Sequence, residues 1–147
     1  MSENKKEFRV PDFWYRQSGV IPYRIKNETL QILLITSRKK KRWIIPKGII
    51  ENGLKPYESA GKEALEEAGV VGTVSKEPIG KYKYKKWGGT VKIKIFPMFV
   101  KSLLDDWDEI DYRKRRWFTF DEAKDIIEIE KLKSIFDDFK AVLNSKS

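Results

Sequence analysis

Residues 46–70 read PKGIIENGLKPYESAGKEALEEAGV, and this stretch decides how the rest of the chain is interpreted. It begins with a glycine-containing loop and continues with a pattern that predicts a helix. Pro56 marks the start of that helix, because proline suits the first helical position, where a backbone N–H would have no partner. Gly69 marks its end, since glycine readily takes the left-handed conformation that closes many helices.

The predicted helix carries three glutamates, Glu63, Glu66 and Glu67, at spacings of three and four residues. Residues at these spacings are neighbours on a helix surface, so the carboxylates are predicted to share an outward face. The residues expected to pack inward are Tyr57, Gly61, Ala64, Leu65 and Ala68. Like charges so placed destabilise a helix by roughly 0.2–0.5 kcal/mol per pair. A solvated acidic face is one interpretation, and a site for a hard cation such as Mg²⁺, which prefers oxygen ligands, is the other.

Composition narrows the possible chemistry. The 147 residues include no cysteine and no histidine, which excludes disulfides, thiolate zinc sites and histidine acid–base catalysis. The net charge of +9 predicts an anionic partner, either a polyphosphorylated small molecule or, less favoured, a nucleic acid. The sequence contains neither an apolar run of membrane length nor a signal-peptide pattern, so no membrane partner is expected and the expected location is the cytoplasm.

The remaining pattern predicts one domain over residues 1–147, with residues 1–9 as a flexible leader. Predicted strands cover residues 19–24, 30–36, 43–45, 70–74, 81–86, 90–100 and 113–120. Asp121 is the expected N-cap of a short helix through residue 128, and apolar residues at helical spacing predict a last helix over 132–143. The fold class is therefore α/β or α+β with a mixed sheet. No feature of the pattern predicts an oligomeric state.

The central stretch resembles the signature of the Nudix hydrolases. That signature is Gly, five residues, Glu, seven residues, and then Arg-Glu-U-x-Glu-Glu-x-Gly-U, where U is apolar. Counted from Gly48, the spacing matches without a gap, and Glu63 and the run Glu66–Val70 fit the second half. Two positions depart, because Leu54 replaces the first Glu and Lys62 replaces Arg. In the family these two residues form an ion pair that braces the loop, so bracing is expected here from packing, Glu51 or Glu58.

The resemblance implies a fold, a cofactor and a reaction. The implied fold is an α/β/α sandwich with a central mixed sheet and a loop–helix–loop. The implied reaction is hydrolysis of a diphosphate linkage with Mg²⁺, or alternatively Mn²⁺. Glu63 and Glu67 would be metal ligands, together with a main-chain carbonyl near Lys47 or Gly48. Glu66 is the expected general base, with Glu67 as the alternative.

The segments LLITSRKKKRWIIPKG and LLDDWDEIDYRKRRWF resemble one branch, the diphosphoinositol polyphosphate phosphohydrolases and their small bacterial relatives. The resemblance implies substrate-phosphate contacts at Ser37, Arg38, Arg113 and Lys131, and Lys47 is assigned to the same group. A histidine and an arginine that this branch uses near Val91 and Gly89 are missing, and Lys85 or Lys86 could replace them. For each of these cations, and for Arg115 and Arg116, a solvated surface position is the alternative.

Three functions follow from these observations. The first is a Mg²⁺-dependent pyrophosphohydrolase that cleaves a diphosphate linkage in a nucleoside polyphosphate or another polyphosphorylated small molecule. The second is hydrolysis of RNA 5′ ends or dinucleoside polyphosphates. The third is a catalytically silent module that binds nucleotides or nucleic acid.

Overall fold

The computed structural model describes residues 10–146, so the predicted leader at residues 1–9 lies outside the described residues. A short 3₁₀ helix, Asp12–Tyr15, precedes the first strand. The strands are β1 (Arg16–Lys26), β2 (Thr29–Thr36), β3 (Trp43–Ile44), β4 (Lys47–Ile49), β5 (Val70–Val74), β6 (Gly80–Lys86), β7 (Gly89–Leu103) and β8 (Arg115–Thr119). The helices are α1 (Pro56–Ala68), α2 (Phe120–Ile126) and α3 (Glu130–Ser145).

All eight strands form one mixed sheet with β1 near its centre. β1 pairs antiparallel with β2 and β4 and parallel with the long strand β7. β7 also carries β5 and β6, and β2 also carries β3 and β8, all antiparallel. The short strand β4 leads into α1 and is held on β1 with Gly48 opposite Ser18. The sheet therefore fixes the start of the loop that precedes α1.

The two faces of the sheet carry separate apolar clusters, which confirms the predicted sandwich. The cluster beneath α1 contains Val20, Leu33, Ile35, Ala60, Ala64, Ala68, Val70, Phe96, Met98 and Val100. The other cluster includes the side chains of α2 and α3, among them Phe120, Ala123, Leu132, Ile135, Phe136 and Phe139. None of the helices in residues 10–146 is long and apolar enough to cross a membrane.

Helix α1 begins at Pro56 and is closed by Gly69, with φ of 63°, as predicted. The predicted faces were wrong for two side chains. Leu65 is 42% exposed, whereas Glu67 is only 7% exposed. The buried stripe follows Ala60, Ala64 and Ala68, and Glu67 falls on it because it is three residues from Ala64 and seven from Ala60. One of the three carboxylates is therefore inside the protein.

Helix α2 also begins differently from the prediction. Its N-cap is Thr119 and not Asp121. The Glu122 N–H donates to the Thr119 hydroxyl (3.2 Å), and the Thr119 N–H donates to the Glu122 carboxylate (2.9 Å). This reciprocal capping box satisfies two backbone donors and explains the earlier start. The helix ends at Ile126, two residues before the predicted end.

Candidate functional site

Gly48 and Glu63, two of the predicted metal-site residues, lie in direct contact. A Cβ placed on Gly48 would lie 2.4 Å from the Glu63 carboxyl carbon. Such a distance is far inside van der Waals contact, so a side chain at position 48 would displace the Glu63 carboxylate from this position. The structure thereby brings the backbone of β4 against the acidic side of α1.

Glu67 is fixed from three directions. The Lys47 N–H donates to its Oε1 at 3.1 Å, and the Arg113 guanidinium lies 3.6 Å from its Oε2. The Trp107 indole N–H donates to the Glu67 main-chain carbonyl at 3.0 Å. Both side chains of the Glu67–Arg113 pair are less than one-tenth exposed. Strand β4 and the segment before β8 together set the position of this carboxylate.

Burial changes the protonation of both glutamates. It raises the pKa of Glu67 to about 8, with the Glu63 charge adding to the effect and Arg113 and the Lys47 N–H opposing it. Burial also raises the pKa of Glu63 to about 7, with further increases from Glu66 and Glu109. Two buried carboxylates that repel one another hold protons near neutral pH unless a cation compensates their charge.

The donors at this site suit a hard cation. Glu63, Glu67 and the β4 main chain offer oxygen atoms, and Mg²⁺ takes oxygen ligands while keeping waters or substrate phosphates. Ser18, paired with Gly48, is fully buried, and its hydroxyl has no hydrogen-bond partner within residues 10–146. Those same residues contain no group of three or more acidic side chains close enough to hold a metal ion. The two carboxylates would therefore share a cation with main-chain, water or phosphate oxygens.

The raised pKa values predict how stability depends on pH without metal. Both values exceed the usual 4.5, so the folded chain retains protons that the unfolded chain has released. Stability should then fall as pH rises from about 5 to about 8. Mg²⁺ binds the deprotonated carboxylates, so its stabilising effect should grow over the same range. Thermal unfolding with EDTA and with Mg²⁺, at several pH values, measures both trends.

The matched control for this experiment is Glu77→Gln, because Glu77 is exposed and outside the site. It should leave the pH dependence unchanged, whereas Glu67→Gln should flatten it. A metal-free protein that gains stability between pH 5 and 8 would contradict the assignment to these two carboxylates.

The loop before α1 is braced by one of the two predicted substitutes. Lys62 donates to the Glu51 carboxylate and also lies 3.7 Å from Glu66. Glu58 instead accepts the Lys55 N–H at 2.9 Å and caps the helix. The acidic partner of Lys62 therefore stands three residues before Leu54, which is half-buried in the loop. The Glu51–Lys62 pair therefore links the loop to the helix, although Leu54 and Lys62 replace the Glu and Arg that form the ion pair in the family.

This brace gives a double-mutant prediction. Glu51→Gln and Lys62→Gln should each lower turnover by at most about fivefold, because an exposed ion pair contributes little. The charge-reversed pair, Glu51→Lys with Lys62→Glu, should regain part of the loss unless Glu66 repels the new carboxylate. Leu54→Glu should change little, since Lys62 already has a partner. Steady-state turnover of the parent, the two single variants and Glu51→Gln combined with Lys62→Gln measures the coupling. A large gain from Leu54→Glu would show that the existing brace is inadequate.

Ser37 and Arg38 lie in the basic turn between β2 and β3. The Ser37 hydroxyl accepts the Arg42 N–H at 3.0 Å and closes that turn. The Arg38 guanidinium stacks over the exposed Tyr112 ring at 4.5 Å. Lys41 donates to the Tyr112 carbonyl at 3.1 Å. The basic turn therefore rests on the segment before β8, which sequence reasoning did not connect with it.

Arg113 is not a free surface cation. Its Nε donates to Glu109 at 2.8 Å and its Nη1 to the Thr36 carbonyl at 3.0 Å. Glu109 was missed by sequence reasoning, yet its charge acts on Glu63 and Glu67. A lone glutamate in an acidic loop carries no spacing signal that could have identified it. Arg113 therefore lies at the predicted site, where it contacts the carboxylates of Glu67 and Glu109.

A second group of cations borders the site. The Lys47 ammonium donates to the Tyr84 hydroxyl at 3.2 Å, and that hydroxyl donates to Gln17 at 3.3 Å. Burial lowers the pKa of Lys86, and the nearby charges of Lys47 and Lys39 lower it further. Lys86, one of the two proposed replacements for the missing family residues, therefore lies close to Lys47. The other, Lys85, donates to Thr90 at 2.9 Å.

Lys47 also lines a small cleft of about 130 Å³ beside the site. Trp43, Tyr82 and Leu132 contribute to its walls. The buried Tyr82 hydroxyl has no hydrogen-bond partner in the described part of the chain. The cleft thus combines apolar walls and this unsatisfied hydroxyl with the ion pair of Arg42 and Glu128, which also line it.

Lys131 and Arg115 lie elsewhere. Lys131 lines a larger cavity, and among residues 10–146 its lining contains none of the three glutamates, Lys47 or Arg113. Arg115 donates to the Ala68 carbonyl at 2.9 Å and the Leu104 carbonyl at 2.6 Å, and stacks on Trp107. Arg115 therefore satisfies a main-chain carbonyl at the carboxyl end of α1, so it is not simply a solvated strand residue.

Comparisons with known proteins agree with this geometry. A sequence profile of the NUDIX domain matches residues 15–139. Nudix hydrolase 13, mitochondrial, from Arabidopsis thaliana is 33% identical over 86% of this chain and 73% of its own length. Diphosphoinositol polyphosphate phosphohydrolase 3-alpha from Mus musculus is 29% identical over 82% of this chain and 74% of its own.

A solved structure with the same fold is the Ap4A hydrolase binary complex from C. elegans. It superposes with a TM-score of 0.73 at 21% identity, covering 88% of this chain and 98% of the other. The fold, the spacing from Gly48 to Val70 and the profile match lead to the same assignment. The chain belongs to the Nudix hydrolase family and is a hydrolase of phosphoric anhydride bonds.

Proposed function

We propose that the protein is a Mg²⁺-dependent pyrophosphohydrolase that cleaves a diphosphate linkage in a nucleoside polyphosphate or another polyphosphorylated small molecule. The observation that carries the proposal is the contact of Glu63 with Gly48 beside the buried, hydrogen-bonded Glu67. The names of similar proteins support both candidate substrate classes: a diphosphoinositol polyphosphate phosphohydrolase fits this first function, and an Ap4A hydrolase fits the second, hydrolysis of dinucleoside polyphosphates.

The role proposed for each site residue follows from its position. Glu63, Glu67 and the Gly48 main chain would hold the cation, which when bound neutralises phosphate oxygens and lowers the pKa of a coordinated water. Glu66 is half-exposed next to Lys62 and is the proposed general base, with Glu67 as the alternative. Coupled carboxylates share their titration, so the assignment to one residue needs kinetic evidence.

Phosphate recognition would fall to cations near the glutamates. The charges of Lys47 and Lys39 act on Lys86, and none of these three lysines has a carboxylate partner within residues 10–146. Arg38, stacked on Tyr112, presents a planar guanidinium suited to bidentate phosphate contacts. The small cleft beside Lys47 could receive part of the group attached to the diphosphate.

A substrate panel tests the proposal. The protein with Mg²⁺ is incubated with nucleoside triphosphates, dinucleoside polyphosphates, diphosphoinositols, ADP-ribose and 5′-triphosphate RNA, and the products are identified by phosphorus NMR. Product identification is needed because ADP-ribose and dinucleoside polyphosphates are split into two phosphorylated products without release of phosphate or pyrophosphate. We expect turnover of at least one small diphosphate-containing molecule, and its loss with EDTA. Preference for 5′-triphosphate RNA or for a dinucleoside polyphosphate would favour the second function. If no member of the panel is turned over with Mg²⁺ or Mn²⁺, the hydrolase proposal is wrong and the third function, a catalytically silent binding module, is favoured.

A further inference from the structure

The carboxyl end of α1 is held by a segment that is distant in the sequence. A helix leaves its last four carbonyl groups without partners in the regular helical pattern. In α1 these carbonyls belong to residues 65–68, and the Leu65 carbonyl accepts the Gly69 N–H at 3.0 Å. The other three accept hydrogen bonds from residues 104–115, here called the clamp segment. The last turn of α1 is therefore bound mainly from outside the helix.

Each of these three carbonyls accepts from a different residue of the clamp segment. The pairs are the Glu66 carbonyl with the Glu109 N–H at 3.1 Å, the Glu67 carbonyl with the Trp107 indole N–H at 3.0 Å, and the Ala68 carbonyl with the Arg115 guanidinium at 2.9 Å. One donor belongs to the main chain and two belong to side chains. Substitution can therefore remove the two side-chain donors one at a time.

The two side-chain donors are also packed on each other and on the closing glycine. The Arg115 guanidinium stacks on the Trp107 ring at 4.0 Å from its centroid. A Cβ placed on Gly69 would lie 2.8 Å from the Arg115 Nη1 and 3.0 Å from the Trp107 Cβ. The Leu104 N–H donates to the Gly69 carbonyl at 2.8 Å. The clamp segment thus lies directly against the end of α1.

Two of the three site glutamates belong to the turn that is held in this way. Glu66 and Glu67 contribute carbonyls to the clamp, whereas Glu63 lies one turn earlier, with its carboxylate against Gly48. Helix ends fray readily, and a carbonyl that loses its partner favours fraying. Fraying of the last turn would move Glu66 and Glu67 relative to Glu63. The clamp segment therefore controls how the three carboxylates are placed with respect to one another.

The packing of α1 on the sheet does not depend on the two side-chain donors. Ala60, Ala64 and Ala68 are fully buried in the cluster beneath the helix. Removal of one N–H at the helix end leaves these three contacts in place. We therefore expect such a change to loosen the last turn while the fold is retained.

We infer that Trp107 and Arg115 are positioning residues of the reaction, which hold the main chain of the last turn of α1 and thereby fix Glu66 and Glu67 relative to Glu63. The inference rests on the roles proposed above for these glutamates. Trp107 and Arg115 act through main-chain carbonyls, so their effect should appear in kcat and in the order of the last turn.

The first test is Trp107→Phe, which removes the indole N–H and keeps an aromatic ring beside Arg115. We expect kcat to fall by at least about tenfold, because a displacement of about 1 Å in a catalytic site can cost about a hundredfold in rate. KM should change by less than about threefold, since the interaction lost concerns the reacting groups and not substrate binding.

Trp117→Phe is the matched control. It deletes the same atoms from a tryptophan that also packs against the cluster beneath α1. The Trp117 Nε1 is buried and has no hydrogen-bond partner within residues 10–146. Its kcat should stay within about twofold of the parent value, because no hydrogen bond is lost.

Two further measurements on the full chain do not require turnover. Amide hydrogen exchange at residues 66–69 should be at least about threefold faster in Trp107→Phe, with exchange in β1 and β7 unchanged, if opening is local. Binding of Mn²⁺ alone, followed by electron paramagnetic resonance, should weaken by about tenfold, as is typical when a group that orients metal ligands is removed. Trp117→Phe should leave both quantities at the parent values.

Arg115 provides a second variant, which also serves if Trp107→Phe does not fold. Arg115→Met should lower kcat and speed exchange at residues 66–69. Arg115→Lys should restore part of the loss, because lysine keeps the charge and one donor but lacks the planar fork. The control is Arg116→Met, since Arg116 is exposed and its guanidinium lies over the Phe118 ring at 4.8 Å.

Three results would overturn the inference. They are equal kcat in Trp107→Phe and Trp117→Phe, unchanged exchange at residues 66–69, and exchange that rises equally throughout the sheet. If the parent protein turns over no substrate, the proposed function is wrong, and the exchange and Mn²⁺ measurements still support or overturn the clamp. If the parent is active and only the clamp variants behave like their controls, the proposed function stands and the inference is wrong.

Discussion

Glu67→Gln should lower kcat by at least about a thousandfold, because it removes a charge that the site places where the diphosphate reacts. The amide keeps the shape of the side chain, and its oxygen can still accept the Lys47 N–H. The change should therefore spare the fold. In EDTA at pH 8 the variant should be at least as stable as the parent, since burial raises the pKa of Glu67 to about 8 and makes its ionised form unfavourable.

Two further measurements serve as controls for the Glu67→Gln prediction. Stabilisation by Mg²⁺ should be strongly reduced in Glu67→Gln and retained in Glu77→Gln, whose exposed carboxylate lies outside the site. Glu66→Gln should also lose orders of magnitude in kcat if Glu66 is the general base, yet keep most of the Mg²⁺ stabilisation. Near-normal turnover in both site variants would remove the assigned centre.

Gly48→Ala should lower turnover almost as much as Glu67→Gln, but for a steric reason. The new methyl group would lie within 2.4 Å of the Glu63 carboxyl carbon, so the carboxylate or strand β4 must move. A displacement of about 1 Å in a catalytic site can cost about a hundredfold in rate. Turnover should fall by at least that factor, and the pKa of Glu63 should change because its packing is altered.

Gly61→Ala is the matched control for this prediction. Gly61 belongs to the same helix that carries Glu63, and an added Cβ would meet a Val74 methyl at 3.1 Å, which can shift. Alanine also has the better helix propensity, so stability should be nearly unchanged. Retained activity in Gly48→Ala would mean that the contact with Glu63 is not needed for turnover.

The parts of this site that could be predicted are those encoded over a short distance in the chain. The extent of α1, the closing Gly69 and the spacing of Gly48 from the glutamates follow from local turn and helix rules. The burial of Glu67 could have been anticipated from the alanine stripe, because Ala60, Ala64 and Glu67 share one side of the helix. Leu65 was assigned inward from its angular position near Gly61, but it lies outside the stripe of Ala60, Ala64 and Ala68 and is 42% exposed.

The parts that could not be predicted depend on contacts between distant residues. Arg113 reaches Thr36 across 77 positions, and Trp107 reaches Glu67 across 40. Glu109 joins the site through a side chain that carries no spacing pattern, and the alternation that includes Tyr84 predicts a strand but not its contact with Lys47. Each of these contacts is set by how the sheet orders its strands, which one sequence does not reveal.

The position of Glu51 has a consequence for which substitutions the loop tolerates. An acid at 51 and an acid at 54 are alternative partners for the cation at 62, so the loop needs only one of them. Here the acid at 51 contacts Lys62, and leucine stands at 54. Position 54 is therefore released from the ion pair and can be occupied by an apolar residue, which is half-buried in this chain.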